Sequence, residues 1–329
     1  MPDPALTSGR RAFLARVLRL GGASAATLGL SAYLAGRSRR PAEEAAAEAD
    51  VDHRVPDRPD LPEMAVSQGE AAAPTALVER AIADMGGMGR FVARGDTVVV
   101  KPNIAWDRLP EHAATTNPEV VAAIVRLCLQ AGAGSVIVTD VSCNDAEACF
   151  DRSGIAAAAR AAGAEVVLPH SRFFTRVNLR GATLGEWPVL QPFLDATKLI
   201  NVPIAKHHSL TGVTLGMKNW YGLIGGDRNR LHQRIHESIV DLTSFAKPTL
   251  TVMDAYRILA RNGPTGGDVD DVEMKHTMVA SVDPVAVDAY AAQAWWGLAA
   301  PRVPYLRLAE QRGLGRMDFA SLRTVTSTL

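Results

Sequence analysis

The sequence predicts an α/β fold, an open and mainly parallel sheet with flanking helices and a small inserted lobe. Three observations predict it. Short β-branched runs such as Thr97-Val98-Val99-Val100 are apolar without alternation, the pattern of strands buried on both faces. Stretches of helical period lie between them and stop at glycine. Strand and helix then alternate at the spacing of βαβ units. In order, residues 76–85 form a helix ended by Gly86-Gly87, and 97–100 a strand. Residues 118–130 form a helix with Asn117 as N-cap, Pro118 in the first turn and Gly132 as its stop. Strand 135–139, an Ala-rich helix from 153 or 154 to 162 and strand 165–168 follow. Mixed strand and turn residues between 172 and 192 read as an inserted hairpin. The second half continues with strand 198–202, helix 235–245, strands 249–253 and 278–282, and helix 284–296 capped by Asp283.

The 329 residues contain 35 basic and 35 acidic side chains, 8 His and 3 Cys, with 47% hydrophobic and 5% aromatic residues. This composition is globular and excludes a disordered, collagenous or multi-span membrane chain. The charge balance is uneven along the chain. Residues 1–40 hold seven of the basic and one of the acidic residues, so the remainder holds 28 basic and 34 acidic, net −6. A body of that sign has no footprint for nucleic acid. Cys128, Cys143 and Cys149 are too few for a four-thiolate iron–sulfur cluster or a disulfide scaffold. Cys143 and Cys149 are expected either as a pair formed after export or as free structural thiols.

Ser8-Gly9-Arg10-Arg11-Ala12-Phe13-Leu14 leads into a weakly apolar stretch, 17–36, that contains Arg19 and four Gly. A membrane anchor needs about 20 apolar residues without a charge, so a single-pass span is disfavoured. The run resembles a twin-arginine (Tat) export signal, followed by Arg37, Arg39 and Arg40 and removed or retained as a tether. That resemblance implies the export machinery as a partner, a periplasmic location, membrane contact only through this segment, and a cofactor loaded before export. Residues 41–75, with nine Ala, nine acidic residues and five Pro, read as a flexible linker. The organisation expected is therefore signal or anchor 1–40, linker 41–75 and α/β domain 76–329.

Ligands of open parallel sheets bind beyond the carboxyl ends of the strands. Polar residues stand at four such ends: Lys101-Pro102-Asn103, Asp140, Lys206-His207-His208 and Asp254. The densest chemistry is in residues 206–226, with two His, two Lys and five Gly, too many glycines for a helix interior. Small residues let backbone approach a ligand, and a His beside Lys is held neutral for proton transfer. The catalytic set expected is His208, Lys218, Lys206 and Asp254; the ligand-binding set is Lys101, Asn103, Asp140, Gly212, Gly216 and Asn219. His232 and His236, four apart on an expected helix, have the spacing of a two-histidine metal site. The other readings are a solvated face among Arg228, Arg230 and Arg234, or arginines that bind an anionic substrate.

The ordered runs Val100-Lys101-Pro102-Asn103, Thr115-Thr116-Asn117-Pro118-Glu119, Lys206-His207-His208 through Asn219, Leu231-His232 through Leu242, Gly263-Pro264-Thr265-Gly266-Gly267 and Asp283-Pro284 through Ala289 resemble the prokaryotic family called domain of unknown function 362 over roughly 76–329. The name implies no activity. Many members carry a ferredoxin-like cluster module, which this chain lacks. His208, Gly212, Gly216 and Lys218 also resemble a run in nickel-pincer lactate racemases. That resemblance implies a His that exchanges the substrate proton, a Lys that holds the cofactor, and a divalent metal or nickel- or nucleotide-type cofactor. The function expected is an exported enzyme using His acid–base chemistry on a small anionic substrate. The alternatives are a periplasmic ligand- or cofactor-carrier protein and an assembly partner of a redox complex.

Overall fold

The computed structural model describes residues 52–329. The segments expected as export signal (1–40) and first part of the linker (41–51) lie outside the described residues. The first elements are β1 (Met64–Gln68), α1 (Pro74–Asp84), β2 (Thr97–Pro102), α2 (Pro118–Gln130), β3 (Ser135–Val138), α3 (Ala146–Arg152), α4 (Ile155–Ala161) and β4 (Glu165–Val166). A hairpin, β5 (Phe174–Asn178) with β6 (Glu186–Leu190), and α5 (Gln191–Asp195) precede β7 (Lys198–Val202), β8 (Ile204–His208), β9 (Gly212–Thr214) and the short α6 (Gly216–Asn219). Then come α7 (Ile235–Ala246), β10 (Leu250–Leu259), β11 (Val272–Ser281), α8 (Pro284–Trp296), α9 (Pro304–Gln311) and β12 (Thr324–Thr328).

The main sheet runs β12-β1-β11-β10-β7-β2-β3-β4, with β8 leaving the path to pair β10 and β9. All neighbours along the path are parallel except those of β11, which opposes both β1 and β10. Burial on both faces explains why the strands show no alternation. Val98 and Val100 pack with α1, α2 and α4, whereas Val99 points into the other core with α7, α8 and α9. Two of the helices that cover the sheet, α2 and α8, start at a side-chain cap. The Asn117 side chain accepts from Glu119 N–H at 3.0 Å, and Asp283 accepts from Val285 and Ala286 N–H at 2.9 Å, each cap contributing about 1 kcal/mol.

Two boundaries differ from expectation. The stretch from 52 to 75 is no spacer: β1 is inserted between β11 and β12 with four of its five residues buried. Its Ala and Ser residues show no hydrophobic period because both faces are covered and the strand is only five residues long. The body therefore begins before residue 76. The strands expected at 249–253 and 278–282 are the inner halves of a longer antiparallel pair running from Thr251↔Ser281 to Leu259↔Val272. Polar Arg257, Glu273 and Lys275 disguise its outer half. The inserted hairpin is present as the separate two-stranded sheet β5-β6. Among the described residues no helix is long and apolar enough to cross a membrane.

Candidate active site

A cavity of about 520 Å³ opens beyond the carboxyl ends of β2, β3 and β7, where parallel topology leaves strand ends uncovered. Its lining includes Lys101, Asn103, Asp140, Lys206, His208, Lys218 and Asn219, the expected residues of four separate segments. Thr214, Tyr221, Arg228, His232 and Cys143 also face it.

Three lysines line the cavity, and they differ in how many acceptors they find. Lys101, at the end of β2, donates to Asp140 Oδ1 at 2.6 Å, Pro102 O at 2.8 Å and Asn219 Oδ1 at 3.2 Å, using all three ammonium hydrogens. Asp140 also accepts from Ile104 N–H at 2.6 Å and Val141 N–H at 3.0 Å, so it ties the ends of β2 and β3 together. Burial lowers the Lys101 pKa, and Asp140 opposes the shift. Lys206, on β8, donates to Ala114 O at 2.6 Å and Asn103 Oδ1 at 3.2 Å. A neutral amine has two N–H groups, both matched here, whereas the ammonium would bury a third without an acceptor. Desolvation, against a weaker opposing attraction to Cys143, lowers its pKa to about 7. Lys218 has no hydrogen-bond acceptor among the described residues, and its ammonium stands 4.7 Å over the face of the Tyr221 ring. Desolvation lowers its pKa to about 8.

His208 closes β8 and is 4% exposed. Leu210 N–H donates to its Nδ1 at 3.1 Å, so the neutral ring carries its proton on Nε2. Burial first, and then Lys218 and Lys206, lower its pKa to about 3. The sequence suggested a neutral base. The ring is neutral, but with Nδ1 occupied and Nε2 protonated it offers a ligand a hydrogen-bond donor.

The α6 turn delivers Lys218 and Asn219. Asp288 of α8 accepts from Gly216 N–H at 2.7 Å and Met217 N–H at 3.0 Å, and Gly216 O accepts from Asn201 Nδ2 at 2.8 Å. A Cβ on Gly216 would meet the Asp288 carboxylate at 2.8 Å. Asn219 joins the set: its Oδ1 also accepts from Asn103 Nδ2 at 3.0 Å, and its Nδ2 donates to Asn201 Oδ1 at 2.9 Å. Gly222 is confined further, because a Cβ there would overlap Asp140 and Lys101.

Four expected site residues lie elsewhere. Asp254 does not line the cavity; it is fully buried in β10 and accepts from Asn117 N–H at 2.8 Å and Tyr256 N–H at 3.0 Å. Burial raises its pKa to about 6. Its place at a strand end misled because β10 continues past it while switching partner from β7 to β8. Gly212, at φ +77°, opens β9 in the β8–β9 turn, and Gly216 acts through backbone groups; neither lines the cavity. His232 and His236 are on different elements, because a 3₁₀ stretch over Arg228–Arg234 ends before α7 begins. His232 faces the cavity edge-on to Tyr221, and His236 stacks on Tyr305 at 6.4 Å. A helix period assumed across that break put both rings on one face.

Tyr221 and Thr214 carry no motif of their own, whereas Arg228 is one of the three arginines offered as anion-binding. Arg228 donates to Val141 O at 2.7 Å and Ser142 O at 2.5 Å, pinning the loop after Asp140. Thr214 Oγ1 is buried without a partner at the cavity wall. The lining suits a bound anion: three lysines, Arg228 and two His face Asp140 and Asp227. No group of three His, Cys, Asp or Glu residues that could hold a metal ion occurs among the described residues. An anionic, nucleotide-type group would fit this lining, with Lys218 to hold it and electron-accepting chemistry to supply. A bare divalent cation does not fit.

The profile of the family described as "Domain of unknown function (DUF362)" matches residues 98–293. A thylakoid-associated protein of Synechocystis sp. is 27% identical over 228 residues, 67% of this chain and 69% of that protein. Among solved structures, the lactate racemase apoprotein of Thermoanaerobacterium thermosaccharolyticum matches with TM-score 0.41 and 12% identity, over 74% of this chain and 61% of that one. A protein of Thermotoga maritima matches with TM-score 0.37 and 13% identity, over 74% and 60%. The chain thus spans about three fifths of those two structures.

Proposed function

Because the chain belongs to the DUF362 family, whose name specifies no reaction, we propose from the cavity itself that this protein binds a small carboxylate- or phosphate-bearing compound and moves a proton on it. Lys218 carries this reading. Its side chain is nine-tenths buried, faces the cavity and has no acceptor among the described residues. A buried cation whose sole contact of this kind among the described residues is the face of the Tyr221 ring, with no anionic or hydrogen-bond acceptor, is poorly compensated, so an anionic ligand supplies what the fold omits. Lys206 is the proton acceptor, a buried amine poised near neutral pH with its two N–H groups already matched. Neutral His208 donates from Nε2 to the ligand oxygen that gains charge, as a preorganised dipole. Lys101 and Asp140 are structural to this cavity, joined to each other and to Asn219.

The paired arginines at 10 and 11 support export of the folded body by the twin-arginine route. A relative named for association with thylakoids is in keeping with work beside a membrane. Calorimetry with oxalate and deuterium exchange into 2-hydroxy and 2-oxo acids in D₂O test the proposal on the full chain. Oxalate should bind, and Lys218→Met should weaken it about tenfold, or ~1.4 kcal/mol. Oxalate binding with no exchange into any acid would identify a carrier. No oxalate binding would sink the reading.

A further inference from the structure

Cys143 lies three residues beyond Asp140 on the loop that closes the cavity. Its backbone is held in place, since its N–H donates to Ala105 O at 2.8 Å, Ser142 Oγ donates to Ile104 O at 2.6 Å, and Arg228 clamps Ser142 O. Its side chain is exposed and free, whereas Cys128 and Cys149 are buried. An accessible thiol that shares a cavity with the Lys101 and Lys218 ammonium groups and with a buried Lys206 amine able to take its proton is the setting of a nucleophilic cysteine. The independent sign of a ligand beside it is Lys218, nine-tenths buried, with no acceptor and turned into the same cavity.

We propose that Cys143 is the nucleophile of this cavity and adds reversibly to the carbonyl carbon of a small oxo acid whose carboxylate is held by Lys218. The inference rests on the anion-binding reading above and names its substrate class. As the sulfur–carbon bond forms, the π bond of the carbonyl breaks and its electron pair moves to oxygen. The proton of the thiol passes to the Lys206 amine and from there to that oxygen. The product is a hemithioacetal or hemithioketal. No atom leaves, and nothing is oxidised or reduced overall. His208 Nε2–H and the neighbouring ammonium groups stabilise the oxygen while it is negative. The carbonyl class follows from this pairing of a soft nucleophile with cations that bind a carboxylate and accept a developing alkoxide.

The experiment uses the full chain, ¹³C-labelled glyoxylate as probe, and oxalate as an anion that cannot form the adduct. Carbon NMR should show a protein-bound tetrahedral carbon in the wild type that disappears in Cys143→Ser. Glyoxylate affinity should fall about tenfold in that variant while oxalate still binds, which also shows that the variant is folded. A tetrahedral signal that persists in Cys143→Ser, a borohydride-trapped adduct on Lys218, or no adduct in the wild type overturns the proposal while oxalate binding stands. If oxalate does not bind the wild type, the anion-binding reading falls as well.

Discussion

Three lysines in one cavity divide their work by how many acceptors each one finds. Lys101 finds three, Lys206 two and Lys218 none among the described residues. Proton transfer should therefore rise as pH passes through about 7, where Lys206 becomes the neutral amine, and Lys206→Met should lower the rate by roughly 10²–10⁴-fold. The same residue affects stability. Its folded pKa lies below the ordinary lysine value, so between about 7 and the unfolded value near 10.4 the folded state binds fewer protons. Lys206 thus makes wild-type stability rise with pH across that window. Urea unfolding of Lys206→Met should lack this part of the slope. Lys218 behaves oppositely in function, because it must stay charged to hold an anion. Oxalate affinity is expected to be flat below about pH 8 and to fall above it, with Lys218→Arg carrying the fall to higher pH. A fall at the same pH in both proteins would assign it to another group.

Short elements carry the site, and longer ones hold them. The four residues of α6 are too few to be stable alone, and α8 fixes them through Asp288. Burial raises the Asp288 pKa to about 7, and Tyr305 supports the same carboxyl from α9. Asp288→Ala leaves the Gly216 and Met217 N–H groups buried without acceptors, at about 1–3 kcal/mol each. Unfolding free energy should fall by roughly 2–6 kcal/mol on that account. Oxalate affinity should fall with it, because Lys218 follows directly in the turn. A variant that loses stability but binds oxalate as before would show that α6 holds its shape without α8. The helix capped by Asn117 was readable from sequence because its cap, Pro118 and Gly132 all act locally. The break between Arg234 and Ile235 was not, since the switch from 3₁₀ to α geometry carries no residue marker.

On the scale of the whole molecule, β1 joins β12 to the rest of the sheet. Removing residues 1–70 deletes it, leaving β11 and β12 with unpaired edges. Such a chain should aggregate or lose cooperative thermal unfolding, whereas a true spacer would be dispensable; a normal melt for the shortened chain would restore the linker reading. Upstream, Arg10→Lys combined with Arg11→Lys should leave the protein in the cytoplasm on fractionation if residues 8–14 direct twin-arginine export. Unchanged export would remove that part of the proposed function.

The α/β class, the parallel strands at 97–100, 135–139 and 198–202, and the capped helices at 118–130 and 284–296 were determined by the sequence alone. Each depends on period, caps and glycine stops within a dozen residues, and local backbone preference is a local property. The candidacy of Lys101, Asn103, Asp140, Lys206, His208, Lys218 and Asn219 was likewise legible, because polar residues cluster after apolar strands where parallel topology opens a cleft. Their roles were not. Which lysine is satisfied and why Asp254 is withdrawn depend on partners 36 to 137 residues apart, such as Asp140 with Ile104 and Asp254 with Asn117, and which His208 nitrogen carries the proton depends on how the β8–β9 turn aims Leu210 N–H. Only the tertiary structure brings those partners within hydrogen-bond distance, and desolvation acts on a group only after the chain has enclosed it.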